Sequence, residues 1–354
     1  KNENKAAYKM DFLFKKLQKN PKPIVLYGIG NGADMIFERL QQYGRTPAGV
    51  FASSEFVRNK QFHGLPVTNY ETAKAQFSPM VVLLCFGTNR PQVWQNINRI
   101  ASENEFYVPD VPVYGNHYFD EDFYRRHLPQ LQKVYSLLAD ETSRRCFTEI
   151  VKFKATGNRS HLLRCETSPA EAVQNILCYQ KNEVYLDLGA FNGDTVLQFA
   201  KDVNGRYRHI CAAEPFFKTY QRLLQNTKKL KNVTCINAAA AQNCIPLLFN
   251  QKGGRGSAKA GKGTPVNAFA VDDYFKTKPV TTVKIDVEGM ERKAIAGAAK
   301  TICRCKPKLQ IAAYHRTEDL FAIPLQVLAL RPDYKLYLRH FPCYPAWDTN
   351  FYFI

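Results

Sequence analysis

The stretch Val184-Tyr-Leu-Asp-Leu-Gly-Ala-Phe-Asn-Gly-Asp-Thr195 leaves little choice of fold. Val184 to Leu188 is apolar except for Asp187, which suits a strand covered on both faces. Gly189 and Gly193 then allow a sharp turn and a close approach of backbone or ligand, because neither carries a Cβ. A helix is expected to open near Asp194 and to run through Val196, Leu197 and Phe199. The free N–H groups of its first turn favour a polar or anionic ligand. Asp187 lies at the carboxyl end of the strand, where open α/β sheets bind their ligands.

Two further strands end in acids. Ile210-Cys-Ala-Ala-Glu214 places a carboxylate at the distance from the glycine turn at which nucleoside-binding folds meet a ribose diol. Val283-Lys-Ile-Asp286-Val-Glu288-Gly-Met-Glu291 supplies a third strand end, followed by a helix. Val233 to Asn237 reads as another parallel strand. Ala238 to Ala241 after it are small enough for a flat ring to lie beside them, and a packing requirement explains them equally well. Leu309 to Ala313 runs into Tyr314-His315-Arg316. A helix over 318–329 and strands over 334–338 and 350–354 complete the pattern.

In their order along the chain, Asp-Leu-Gly-Ala-Phe-Asn-Gly-Asp-Thr, Ala-Glu-Pro-Phe and Lys-Ile-Asp-Val-Glu-Gly-Met-Glu resemble the FkbM family of S-adenosylmethionine-dependent methyltransferases. Ala-Ala-Tyr-His315-Arg-Thr-Glu-Asp-Leu and Tyr-Lys-Leu-Tyr-Leu-Arg339-His340 are similar to that family's closing segments. The resemblance covers roughly residues 180–354. It implies a seven-stranded class I methyltransferase fold with the last strand antiparallel. It also implies O-methylation of a hydroxyl on a sugar, glycan or secondary metabolite, with S-adenosylmethionine as cofactor. On that reading the donor site is Asp187, Gly189, Ala190, Asn192, Gly193, Asp194, Glu214 and Asp286. His315 and Asp286 are the candidate catalytic residues, either one able to serve as base. No metal is assigned: a divalent ion held by Asp286, Glu288 and His315 is chemically allowed but not favoured.

Upstream, Pro23-Ile-Val-Leu-Tyr-Gly28-Ile-Gly30-Asn-Gly-Ala33 is a second strand–glycine turn–helix unit, with a helix over 33–43. It fits the G-x-G-x-x-A form of the dinucleotide fingerprint. The strand that follows, 48–51, lacks the ribose-reading acid at its end: Ala52, Ser53 and Ser54 stand there, and Glu55 comes late. A Rossmann-like unit that does not bind NAD is expected, with a strand over 80–86 and a helix over 91–102. Residues 117–180 show helical spacing in Phe123, Leu128, Leu131, Val134 and Leu138 and no strand alternation. The fold class expected is therefore α/β, two Rossmann-like domains joined by a helical linker. The divisions are an N-terminal helix at 1–20, the first domain at 21–116, the linker at 117–180 and the methyltransferase domain at 181–354.

Composition narrows the partners. The net charge of +18 admits an RNA-binding or RNA-methylating protein as an alternative, but the basic residues are dispersed and form no recognisable nucleic-acid module. An NAD-dependent sugar-modifying enzyme built on the first glycine turn is a second alternative. Gln251 to Gly263 is rich in glycine and lysine. It reads as a basic loop whose Lys252, Arg255, Lys259 and Lys262 would meet a phosphate- or carboxylate-bearing acceptor, such as a nucleotide sugar. The ten cysteines form no Cys-x-x-Cys pair, which fits a reducing cytosol and a cytoplasmic protein. No run of eighteen apolar residues suggests a membrane span. Residues 1–9 have no apolar segment of a secretory signal, and Lys1 is not an initiator Met, so a preceding leader is compatible with the sequence.

Overall fold

The computed structural model describes residues 10–53, 57, 60–249 and 264–354. Strands β1 (Ile24–Tyr27), β2 (Gly49–Phe51), β3 (Gln61–Phe62), β4 (Leu65–Thr68), β5 (Val81–Leu84) and β6 (Glu105–Tyr107) form one sheet. Its order is β3-β4-β2-β1-β5-β6, parallel throughout except for the β3–β4 pair. The helices expected after β1 and β5 run over Asn31–Gln42 and Pro91–Glu103. The β3–β4 hairpin, the helix Tyr70–Phe77 and β6 were not anticipated. The hairpin strands are short and one contains Pro66, which weakens the alternating signal of a strand.

Eleven more strands follow: β7 (Val184–Leu188), β8 (His209–Ala213), β9 (Val233–Ile236), β10 (Ala239–Ala240), β11 (Leu247–Phe249), β12 (Thr264–Val266), β13 (Ala268–Phe269), β14 (Thr282–Ile285), β15 (Lys308–Ala312), β16 (Leu336–His340) and β17 (Thr349–Phe353). Seven of them make a second sheet, in the order β16-β17-β15-β14-β7-β8-β9. Only β17 runs against its neighbours, as expected for the last strand. β7 pairs with β8 on one side and with β14 on the other, so its carboxyl end is a topological switch point. β14 and β15 are neighbours, which brings the residues after Ile285 and after Ala312 to the same edge. The alanines after β9 are buried, with Ala239 and Ala240 paired to β13. A Cβ at Gly297 would lie 2.0 Å from the Ala241 carbonyl oxygen, so this close approach requires glycine at 297.

The helices between the sheets span Glu121–Leu137, Glu141–Thr156, Ser160–Cys165 and Pro169–Ala172. Asp120 and Asp140 cap the first two by accepting from the backbone N–H groups of Phe123 and Ser143, at 2.9 and 2.7 Å. Their apolar faces do more than bridge. Phe123, Leu131, Val134, Phe147, Ile150 and Phe153 belong to one contiguous core that also contains Val25, Tyr27 and Val82 of the first sheet and Leu186, Ile285 and Leu338 of the second. All ten cysteines are free, and among the described residues no helix is long and apolar enough to cross a membrane.

Arg339 fixes that layer to the second sheet. Its guanidinium, 3% exposed, reaches Asp140 at 2.7 Å and Glu171 at 2.9 Å, and donates to the Ser143 hydroxyl at 2.9 Å. Asp140 thus caps a helix and neutralises a buried cation with the same carboxylate. Arg339→Met should lower the unfolding free energy by roughly 3 kcal/mol, the scale for breaking a buried charge network by removing one member. Urea denaturation checks this, and a loss within experimental error of zero would deny the clamp its role.

Candidate functional site

The site is built at the carboxyl ends of β7, β8, β14 and β15. β7 ends at Leu188, and Gly189 turns the chain with φ +88°. A Cβ there would sit 1.8 Å from the carbonyl oxygen of Asp286, so only glycine lets the two strand ends come this close. Gly193, also left-handed, precedes the helix Asp194–Asp202. Between the two glycines, Ala190 is buried and Phe191 is exposed. Asn192 accepts from the Asp194 backbone N–H at 3.2 Å. The donor residues expected from the sequence therefore share one turn, apart from Asp187 inside β7 and Glu214 and Asp286, which border it from the ends of β8 and β14.

Glu214 is 4% exposed, and its two carboxylate oxygens accept from the backbone N–H groups of Phe191 and Phe216 at 3.1 and 3.0 Å. Burial pushes its carboxyl up to about 7 against these two hydrogen bonds, which favour the anion. Asp187, fully buried, accepts from the Thr195 hydroxyl at 2.5 Å and lies 3.5 Å from the Lys284 ammonium. Burial raises the Asp187 carboxyl, while Lys284 and Thr195 pull it back. Lys284 lies between Asp187 and Asp286, 3.6 Å from the latter. Burial opposes its charge, but the two carboxylates hold the ammonium above its ordinary range. Its place in Lys-Ile-Asp-Val-Glu carries no hint of this, because a strand lysine usually points to solvent.

Beyond Asp286 the chain passes through Glu288, left-handed with φ 52°, and Gly289. His315, at the end of β15, has no exposed surface. Its Nδ1 lies 2.9 Å from the Glu291 carboxylate, an ion-pair contact and not an aligned hydrogen bond. Its Nε2 lies 3.4 Å from Glu288 and 3.6 Å from Asp286. Burial disfavours the imidazolium, yet Glu291, Glu288 and Asp286 together raise His315 well above its ordinary value. Asp319, buried at the start of the helix Asp319–Leu330, is pushed up to about 8 by burial and by Glu291. Asp286 keeps 30% of its side chain exposed, so it is the group of the His315–Asp286 pair that an incoming molecule can reach. Tyr314 donates its hydroxyl to Asp286 at 3.2 Å. Ligand atoms of Asp286, Glu291 and His315 lie within 4.8 Å of one another, close enough for the cluster to hold a cation.

Sequence reasoning missed a wall. The segment after β6 returns across this edge: the Tyr114 N–H donates to the His315 carbonyl at 2.8 Å. Tyr114 also lies under the Arg316 guanidinium, 4.0 Å from ring centroid to cation, and fills the space a Cβ on Gly289 would need. Thr317 donates to the His117 carbonyl. Lys252, Arg255, Lys259 and Lys262, expected to meet the acceptor, lie outside the described residues, as do Ser54 and Glu55. At the first glycine turn, space beside Gly28 is taken by Phe86, and space beside Gly87 at the end of β5 by Trp347.

The strand order and acid-tipped strand ends find their counterpart among known proteins. Residues 187–335 match the Methyltransferase FkbM domain. That FkbM match implies a methyltransferase and includes every described residue of the site except the Tyr114 wall. A crystal structure of methyltransferase FkbM from Methylobacillus flagellatus is similar over 96% of this chain and 92% of that one, with a TM-score of 0.71 at 22% identity, a likeness of fold. The Aeropyrum pernix fibrillarin in complex with S-adenosyl-L-methionine overlaps 52% of this chain and 73% of that one, at 14% identity and a TM-score of 0.33. An rRNA methylase from Streptococcus thermophilus overlaps 53% and 95%, at 13% identity and 0.35. Both are too remote to bear on function. No curated protein matches the chain significantly.

Gly189→Ala should cost about 2 kcal/mol, as forced overpacking does, and should weaken any ligand held at this turn by moving the Asp286 strand end away. Urea denaturation with ligand titration measures both. A variant that folds and binds like the parent would contradict the close approach.

Proposed function

We propose that this protein is an S-adenosylmethionine-dependent O-methyltransferase whose acceptor is a hydroxyl on a sugar, glycan or secondary metabolite. The observation that carries the reading is the pairing of the 189–193 glycine turn with the buried carboxylate of Glu214 at the next strand end. Asp187, Gly189, Ala190, Asn192, Gly193 and Asp194 would line the donor, and Glu214 would receive the two hydroxyls of its ribose. The sulfonium is already activated, so the protein's task is to align the acceptor oxygen with the methyl group and exclude water. Asp286 is the proposed catalytic carboxylate, accepting the hydrogen bond of the acceptor hydroxyl. His315, behind it and enclosed, positions Asp286 and the turn at 287–291. The lysines and arginine at 252–262 support an anionic acceptor by composition alone.

Two outcomes test this. Glu214 is protonated below about pH 7, and a ribose diol donates to the anion. Below that pH, binding must expel a proton, so donor affinity should rise with pH and level off above about 7. Glu214→Gln should remove the pH dependence and weaken binding by roughly 1–3 kcal/mol. Calorimetric titration with S-adenosylhomocysteine across pH 6–8 reads both effects, and no binding to the parent protein sinks the donor assignment. For the acceptor side, a panel of hydroxylated acceptors supplies a substrate. Asp286→Asn should then lower kcat about 100-fold while the dissociation constant of S-adenosylhomocysteine changes little. Near-parental turnover would remove Asp286 from the chemistry.

A further inference from the structure

Three carboxylates converge on one imidazole at the end of β15, and only one of them is needed to orient it. Glu291 has no exposed surface, and its Oε1 accepts from the backbone N–H groups of Val287 and Gly289 at 3.0 and 3.3 Å while facing His315 Nδ1 at 2.9 Å. A carboxylate behind Nδ1 fixes the tautomer of a histidine and turns Nε2 outward, the arrangement by which metal-bound histidines are held. Nε2 of His315 is buried, has no aligned hydrogen bond, and faces Glu288 Oε2 and Asp286 Oδ1 in ion-pair contact, 3.4 and 3.6 Å away. Two ligands of a divalent ion bound at about 2.1 Å stand roughly 3.0–3.5 Å apart, from octahedral to tetrahedral geometry. The Glu288 contact falls within that range and the Asp286 contact about 0.1 Å beyond it.

We propose that His315 Nε2, Asp286 Oδ1 and Glu288 Oε2 form a divalent-cation site, with Glu291 as the carboxylate that orients the histidine. One imidazole and two carboxylates make a ligand set for a hard to borderline cation such as Mg²⁺ or Mn²⁺. Asp286 and Glu288 are 30% and 50% exposed, so positions remain for water or a ligand oxygen on the solvent side. The opposite oxygen of Asp286 faces Lys284 at 3.6 Å, and the Tyr314 hydroxyl donates to Oδ1 at 3.2 Å. Glu288 reaches the cluster from a left-handed backbone, φ 52°, in the turn before Gly289.

The role of the ion rests on the methyl-transfer reading above; its binding does not. An acceptor hydroxyl on the cation would be acidified and held toward the donor. The acceptor oxygen then forms its bond to the methyl carbon as the S–CH₃ bond breaks, the electron pair stays on sulfur, and the hydroxyl proton leaves to water by way of the Asp286 carboxylate that accepts its hydrogen bond. A pair of adjacent hydroxyls, as on a sugar ring, would occupy two open positions at once and choose which of the two faces the donor.

The test titrates the full chain, freed of metal by chelation, with Mn²⁺, following free ion by electron paramagnetic resonance. One saturable Mn²⁺ per chain, displaced by Mg²⁺, is expected. Glu288→Gln and Asp286→Asn should each weaken it at least tenfold. Glu291→Gln should weaken it as well, although Glu291 does not touch the ion. Glu288 is half exposed, so its variant should keep the parent's circular dichroism and remain informative if changes at buried Glu291 or His315 unfold the chain. Absence of saturable uptake, or parental affinity in Glu288→Gln, overturns the site. S-adenosylhomocysteine titrated into the same samples separates the two readings. Its binding without Mn²⁺ uptake removes the ion and leaves the donor assignment, and Mn²⁺ uptake without its binding supports the ion and removes the donor.

Discussion

The contact of Gly189 with the carbonyl of Asp286 sets the geometry of this edge. β7 and β14 are hydrogen-bonded along their length, but their ends must also leave in different directions, one into the glycine turn and the other toward Glu288. With no Cβ at 189 the two backbones meet, and Asp187 and Asp286 are brought to either side of Lys284. The ammonium offsets two carboxylates that would otherwise repel each other in a poorly solvated place. Widening that gap would separate the glycine turn from the acid cluster and break the single edge that they form.

Much of this was legible in the chain. Strand ends and glycine turns are local events, so Val184–Thr195, Ile210–Glu214 and Val283–Asp286 announce themselves by hydrophobicity and by the acid that follows. The order of the second sheet came from the family resemblance and not from the residues. Short elements were lost: two-residue β3 and three-residue β6 have too few positions to show a period. The helical stretch at 117–180 was readable as helix, but its share in a core common to both sheets depends on which side chains meet across distant parts of the sequence.

The site divides the same way. The residue types at Asp187, Glu214, Asp286 and His315 could be read, and the structure brings them to one edge. What stayed hidden was environment. That His315 is enclosed while Asp286 is reachable, that Lys284 is turned inward, and that Glu291 stands behind the imidazole are consequences of packing, which reverses what residue type alone suggests. Tyr114 was beyond reach for a different reason: nothing near it in sequence indicates that it will lie against residues two hundred positions later.

That separation has a consequence during synthesis. Tyr114 and His117 leave the ribosome long before His315 and Thr317 exist, with 200 residues between the hydroxyl of Thr317 and the carbonyl it bonds. Until residues 289 and 316 are made, the ring of Tyr114 has no Gly289 to cover and no Arg316 to lie under. Contacts this distant along the chain carry the largest closure entropy and form late. The first sheet can pair its strands while the nascent chain is still growing, whereas the wall that Tyr114 forms is finished only when the residues it packs against have been translated.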